Sequence, residues 1–414
     1  MNAYRLLLPL LLLAPIAAQR TVIVDAANGP GTNHTTLASA FAALQADDVL
    51  VVRAGVYAGL AFSTALPFVM MGEGNPIVQP GTAWQAALQI TTYGSQYQRI
   101  AIKGMRFESQ TTGQWALTVR SGYNTWPAPT VHLEDCEVLS MSPQSDRVGL
   151  LAEGVGLTAH RCNLNTTQVI GSLASFVDCT IWGCDQVVYQ FGNQRAMTAI
   201  DVLRSEVWFV NTTLTAGSSH GAYGEPAACV GFSDGSFTAG SRVYASGNCS
   251  FAADPAPNAL WPVPSVFHNY LYYYAAWPTV EYEPGVVFVP SPLGPTFSQS
   301  ITQVTRTIPH LRASAAPLGG VATFTVHGAT GDFVALLLGF STYAQRMLGH
   351  ALLVDSAVAS TAGFAVLPAG QEVAFPFAVP NDAAMRGLGF EASAALLSTL
   401  GGIDATNPAA AIVQ

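Results

Sequence analysis

Six segments, IAIKGMRFES (Ile100–Ser109), VHLEDCEVLS (Val131–Ser140), LTAHRCNLNT (Leu157–Thr166), ASFVDCTIWG (Ala174–Gly183), VWFVNTTLTA (Val207–Ala216) and YASGNCSFAA (Tyr244–Ala253), align without gaps as one repeated phrase. Small or apolar residues recur at the first and third places. Gly, Asp or Asn usually holds the fifth, and Cys, Met or Thr the sixth, with an apolar eighth place. This spells a strand of period two, a one-residue bend, and a second strand of period two. The bend suits Gly, Asn and Asp because they tolerate the left-handed conformation; Arg161 alone departs from that choice. A strand-bend-strand unit recurring without helical periodicity between copies predicts a solenoid, here a single-stranded parallel β-helix.

The sixth places are separated by 31, 26, 17, 33 and 37 residues. Seventeen residues is close to one bare coil, so the longer steps carry insertions, which in solenoids gather on one face and often serve binding. Gly122 to Pro129, Ser142 to Asp146 and Ser218 to Pro226 are such stretches, rich in turn residues. Four cysteines, Cys136, Cys162, Cys179 and Cys249, share the sixth place and are predicted to form an inward ladder of free thiols. Parallel Cβ vectors on stacked coils suit a disulfide dihedral badly. Cys184 and Cys229 fall outside the ladder and are the expected pair if any disulfide forms. No CxxC or His-x-His spacing points to zinc, and no metal or cofactor is expected.

Charged residues make up 10% of the 414-residue chain, so its surface must be built mainly from Ser, Thr, Gln, Asn and Gly. A net charge of −9 and a single lysine, Lys103, leave no clustered basic face for nucleic acid. Arg5, the apolar run Leu6 to Leu13 and the small residues to Ala18 read as a signal peptide over 1–18, predicting export to the periplasm, the cell surface or the medium. No later stretch reaches the roughly 20 apolar residues needed to span a bilayer.

Thr21 to Asp25 reads as a strand. Leu37, Phe41 and Leu44 mark a short helix opening at Thr35 or Thr36, placed to plug the open end of the solenoid. Gly29 to Thr36, Leu37 to Phe41, Asp47 to Val52 and Gly72 to Val78 resemble the opening of the pectin lyase-like superfamily of right-handed parallel β-helices. The resemblance, with the repeat, spans about Thr21 to Pro290; it is specific for fold and weak for activity, since that superfamily holds lyases, hydrolases, esterases and non-catalytic adhesins. Beyond Tyr282, prolines punctuate a linker. Short apolar segments then follow at Val321 to Val326, Phe333 to Leu338, Ala351 to Val354, Gln371 to Phe377, Gly387 to Ala394 and Ala409 to Val413, predicting an antiparallel β-sandwich. Val379 to Leu388 resembles a C-terminal sandwich module of exported bacterial proteins. The expected organisation is therefore an all-β chain: signal peptide 1–18, β-helix 19–290, linker 291–300 and sandwich 301–414.

Three stretches could carry chemistry. Gly231-Phe232-Ser233-Asp234-Gly235 matches a nucleophile elbow in letters but lacks the strand-turn-helix setting such an elbow needs. Phe176 to Tyr189 is similar to the pectin methylesterase stretch that brings a Gln-Asp pair to the sheet face, which would make Asp185 the catalytic carboxylate with Arg195 nearby. Cys184 stands where the Gln should be, and no second catalytic Asp follows near Val207 to Leu214. A lyase would need carboxylates and an arginine on neighbouring coils; Arg161, Arg195, Arg204, Arg242, Asp201 and Glu206 are available in no fixed arrangement. The third stretch is an aromatic belt including Trp261, Tyr270, Tyr272, Tyr274 and Trp277, whose flat faces suit sugar rings and equally suit an end cap. The expectation is an exported, non-catalytic protein that binds polysaccharide or has a structural role at the cell surface. The alternative is a polysaccharide-active enzyme of pectin esterase, lyase or hydrolase type with a divergent site at Asp185.

Overall fold

The structure, a computed structural model, describes residues 19–414 except 82–85, 94–97, 110–114, 123–127, 141–148, 186, 189–193, 219–223, 226, 233–239, 255–264, 270–276, 293, 340–344, 348–349, 353–359 and 400. Three parallel sheets of 11, 9 and 8 strands, here A, B and C, run along the solenoid. Each coil contributes one strand to each sheet, so the chain is a parallel β-helix.

The repeat supplies the corner between sheets A and B. Its first strand lies in sheet A, as in Thr130–Glu134, Gly156–His160 and Leu173–Val177, and its second in sheet B, as in Asn163–Asn165 and Thr180–Trp182. The fifth place has positive φ at Gly104, Asp135, Arg161, Asp178 and Asn211. Arg161 thus takes the bend conformation that its side chain does not favour, with φ 52°. The sixth copy differs from its gapless alignment. Trp208 pairs with Tyr244 and Val210 with Ser246, so Gly247 is the bend (φ 64°), and Asn248 is an extra residue before Cys249.

Inside the solenoid the sixth places, Met105, Cys136, Cys162, Cys179, Thr212 and Cys249, are all buried, and the apolar eighth places Phe107, Val138, Leu164, Ile181 and Leu214 stack beneath them. None of the six cysteines is in a disulfide. Cys184 and Cys229 are therefore not joined, contrary to the pairing expected for them. Cys184 leaves the sheet B strand of one coil and donates to Asn165 Oδ1 (3.2 Å), whereas Cys229 leads into the sheet C strand of the next and faces the core.

Both ends of the core are plugged. The helix Leu37–Ala42 is capped by Thr36, whose side chain accepts from the Ser39 N–H, and it lays Phe41 on Phe62 with ring centroids 4.2 Å apart. At the other end Phe251, Phe267, Tyr282, Phe288 and Phe297 form a connected set of ring contacts. Thr302–Thr305, expected to open the sandwich, instead pairs in parallel with Thr279–Tyr282 as the last strand of sheet A. The reason is local: these residues carry the solenoid's last coil past the prolines.

The C-terminal region is antiparallel. One sheet joins His310–Ala313, Val321–His327 and Glu372–Ala378; the other joins Ser360–Val366, Phe333–Gly339, Gly389–Leu397 and Ile403–Ala405, with Ala409–Ile412 also pairing to Gly389–Leu397. They enclose a second core around Phe324, Leu336, Ala394 and Val413.

Candidate functional site

Strand alternation sends every second residue of sheet A outward. Register fixes one outward row as Val49, Val69, Ala101, His132, Thr158, Ser175, Trp208 and Tyr244, and the next includes Val51, Met71, Lys103, Glu134 and His160. These rows are covered by the sandwich. Ile412 packs among Val49, Val51, Val69, Met71 and Ala101, and Ile308 packs with Leu173, Trp208 and Tyr244. Gly387, at φ +81°, comes so close that an added Cβ would lie 2.8 Å from a Val49 methyl.

A cluster of charged residues lies beneath this cover. Glu134 is fully buried and its Oε1 accepts from Lys103 Nζ (2.6 Å) and Arg161 Nη2 (2.6 Å). Its Oε2 accepts the backbone N–H of Ile412 (3.1 Å) and lies 3.4 Å from His132 Nε2. His132 Nδ1 in turn meets the Thr158 hydroxyl at 2.7 Å. Nε2–H on the imidazole satisfies both contacts, since Thr158 can then donate to Nδ1. At the rim, Arg161 Nε donates to Asp135 Oδ1 (2.7 Å), and His160 lies 3.3 Å from Asp178.

Burial alone would raise the Glu134 carboxyl, but the hydrogen bond from His132, together with the Lys103 ammonium, holds it well below the ordinary carboxylate range. Burial pushes His132 down, against the opposing pull of Glu134, so the imidazole is neutral. Asp135 and Asp178 are lowered despite burial, chiefly by Arg161 and His160 respectively. The carboxylate, the arginine and the imidazole have the chemistry of an acid-base site. Their geometry is that of a closed joint, because the C-terminal strand occupies the space a substrate would need.

The residues singled out in the sequence lie elsewhere. Asp185 is exposed on the turn after Thr180–Trp182, and its Oδ1 accepts the Ser218 backbone N–H (2.9 Å), tying two insertions together. Arg195 pairs in a small sheet between Val187 and Glu225, which places its backbone on the same flank. Trp277 is 56% exposed; Trp261, Tyr270, Tyr272 and Tyr274 fall outside the described residues, as do Ser233, Asp234 and Gly235 of the elbow-like motif. The sequence reading missed the Glu134 network. Its members sit at the second, fourth and fifth places of the repeat, and only the sole lysine aligned with a chain of charged fourth places, Lys103, Glu134 and His160, could have signalled it.

A second cluster stands where the two regions meet. Glu283, His310 and His327 each offer one ligand atom, all within 4.8 Å of one another.

No protein-family model matches the chain, and no curated protein matches it. Among solved structures it is similar to a pectin methylesterase variant in complex with a hexasaccharide, at 12% identity and a TM-score of 0.33, over 70% of this chain and 94% of that one. It is also similar to the Geobacillus virus E2 protein ORF18, at 10% identity and a TM-score of 0.31, over 93% of this chain and 72% of that one. Likenesses this distant carry no argument about activity. The strand pairing itself defines the class: a parallel β-helix whose sheet A is roofed by an antiparallel sandwich.

Proposed function

We propose that this is an exported, non-catalytic β-helix protein that binds polysaccharide or has a structural role at the cell surface. The observation that supports the reading is the burial of Glu134. A polysaccharide enzyme on this fold would need convergent carboxylates and cations in an open groove, and here Glu134 is sealed by the Ile412 N–H. Asp185 has the exposure such a reaction needs but accepts a backbone N–H, a loop-fastening role. Trp277, just ahead of the sheet A strand Thr279–Tyr282, presents an exposed ring of the kind that stacks on sugars. Among the described residues no helix is long and apolar enough to cross a membrane.

The test is a panel of acidic and neutral polysaccharides on which retention and product release are scored separately. Retention without release is expected, with Trp277→Ala weakening retention about tenfold. Product release that disappears in Asp185→Ala would overturn the proposal and establish the esterase, lyase or hydrolase alternative. Neither retention nor release would leave the structural role alone.

A further inference from the structure

Glu283 follows the sheet A strand Thr279–Tyr282, whereas His310 and His327 are cross-strand partners on the first two strands of the sandwich. Three segments distant in sequence thus bring a carboxylate and two imidazoles to one point on the junction. We propose that Glu283, His310 and His327 form a divalent transition-metal site, with zinc as the fitting ion, that clasps the sandwich to the end of the β-helix.

The geometry carries this in three ways. Two His and one Glu is one of the sets by which three protein ligands hold zinc and leave a fourth position for water. Ligand atoms about 2.0 Å from a tetrahedral zinc lie roughly 3.3 Å apart, and His327 Nε2 is 3.2 Å from Glu283 Oε1. One ligand atom from each of the three residues lies within 4.8 Å of the others, and the two imidazoles, stacked with centroids 4.5 Å apart, converge on one ion once a ring turns out of the stack.

The surrounding shell is also arranged as metal ligands require. His310 Nδ1 faces the Ile308 carbonyl (3.4 Å), which leaves Nε2 as the free lone pair. Glu283 is oriented by backbone N–H donors from Gly247 (2.8 Å) and Ile308 (3.1 Å). The Glu283 side chain is 12% exposed and that of His327 16%, so the cluster is in touch with solvent.

The experiment uses the full chain, stripped with a chelator and titrated with zinc alone. Uptake of one equivalent and a rise in Tm of several degrees are expected. Cobalt in place of zinc should give the visible bands of a four-coordinate nitrogen-oxygen site. His327→Gln should weaken uptake at least tenfold and abolish those bands; should that variant not fold, Glu283→Gln provides the same comparison. Wild-type protein that takes up no zinc overturns the proposal by itself. Undiminished uptake in the variants, or a thiolate-to-cobalt charge-transfer band, would assign the ion to the cysteines and also overturn it.

Discussion

Sheet A is buried on both faces, the inner one wholly by apolar packing and the outer one by apolar patches around a network of buried charges. Leu133 and Glu134 are neighbours in sequence, and alternation sends one into the solenoid and the other under the sandwich. The inner row, Met70, Ile102, Leu133, Ala159, Phe176 and Phe209, is apolar and repeats with the coil, so each residue needs only the right size and character. The outer row changes at every coil, from Ala101 to His132, Thr158, Ser175 and Trp208. Its partners come from the far end of the chain: Ser175 meets Asn407, and Glu134 meets Ile412. The inner face specifies stacking in general; the outer face specifies one docking. Buried charges rarely improve on apolar packing in stability, so their presence here is best explained by the orientation they impose on the sandwich.

The largest test of that contrast is Glu134→Ala. It leaves Lys103 buried without its closest acceptor and strips the Ile412 N–H, and should cost about 3–5 kcal/mol. In urea, the sandwich should release before the solenoid unfolds, giving two transitions by fluorescence and circular dichroism. Leu133→Ala, one residue away, should cost about 2–5 kcal/mol through lost packing and residual cavity. Here the solenoid itself is weakened and no early sandwich phase should appear. Identical unfolding profiles for the two variants would break the distinction between the faces.

Acid should separate the faces as well. Glu134 has its folded pKa depressed, so the stability it contributes is present above its ordinary value of 4.5 and is lost as pH falls below it. His132 is also depressed and buried neutral. The unfolded chain therefore gains a proton first, and stability begins to fall as pH drops below 6.5. Arg161, raised above its ordinary value by Asp135 and Glu134 despite its burial, stays protonated throughout. Undocking between pH 6 and 4, followed by tryptophan fluorescence, is expected while the far-UV signal of the solenoid persists; Glu134→Gln should flatten the lower part of that profile. A smaller effect belongs to Gly387→Ala, which forces a side chain into a left-handed residue packed on Val49, at about 1–2 kcal/mol.

The same contrast explains what could be read from the sequence. A repeat is legible because it is local: ten residues contain the inner face, the bend and the next strand, and six copies expose the rule. The bend at Arg161 could be inferred only from its position, since the residue type argues against it. The extra Asn248 was hidden because a gapless alignment still placed Cys249 correctly in the ladder. In the sandwich, segments with clear alternation such as Val321–His327 and Phe333–Gly339 were evident, whereas Ser360–Val366 was not, its outward Phe364 and Val366 blurring the pattern. The Glu134 network and the Glu283, His310 and His327 cluster were illegible for one reason. Each is completed by a residue from the other region, Ile412 at Glu134 and Glu283 at the two histidines, and nothing in the local sequence encodes which coil the last strand will cover.

The smallest expected effect tests the inner face. Thr212 occupies the same row as the cysteines, and its hydroxyl donates to the Phe176 carbonyl (2.9 Å) and the Val210 carbonyl (3.0 Å). Cys179 makes the corresponding contacts with its thiol, to Ala159 at 3.4 Å and Val177 at 3.3 Å. The row therefore accepts either a thiol or a hydroxyl, provided that the group is small and finds a carbonyl of its own or the preceding coil. Cys179→Thr should cost about 1 kcal/mol or less, as a near volume-conserving exchange that keeps its hydrogen bonds. Cys179→Val keeps the volume and discards the donor. Its two carbonyl acceptors are already bonded within the sheet, so a similar cost is expected from that variant in equilibrium urea unfolding. A loss of several kcal/mol in both would mean that the thiol itself is required, and that the ladder is chemistry rather than packing.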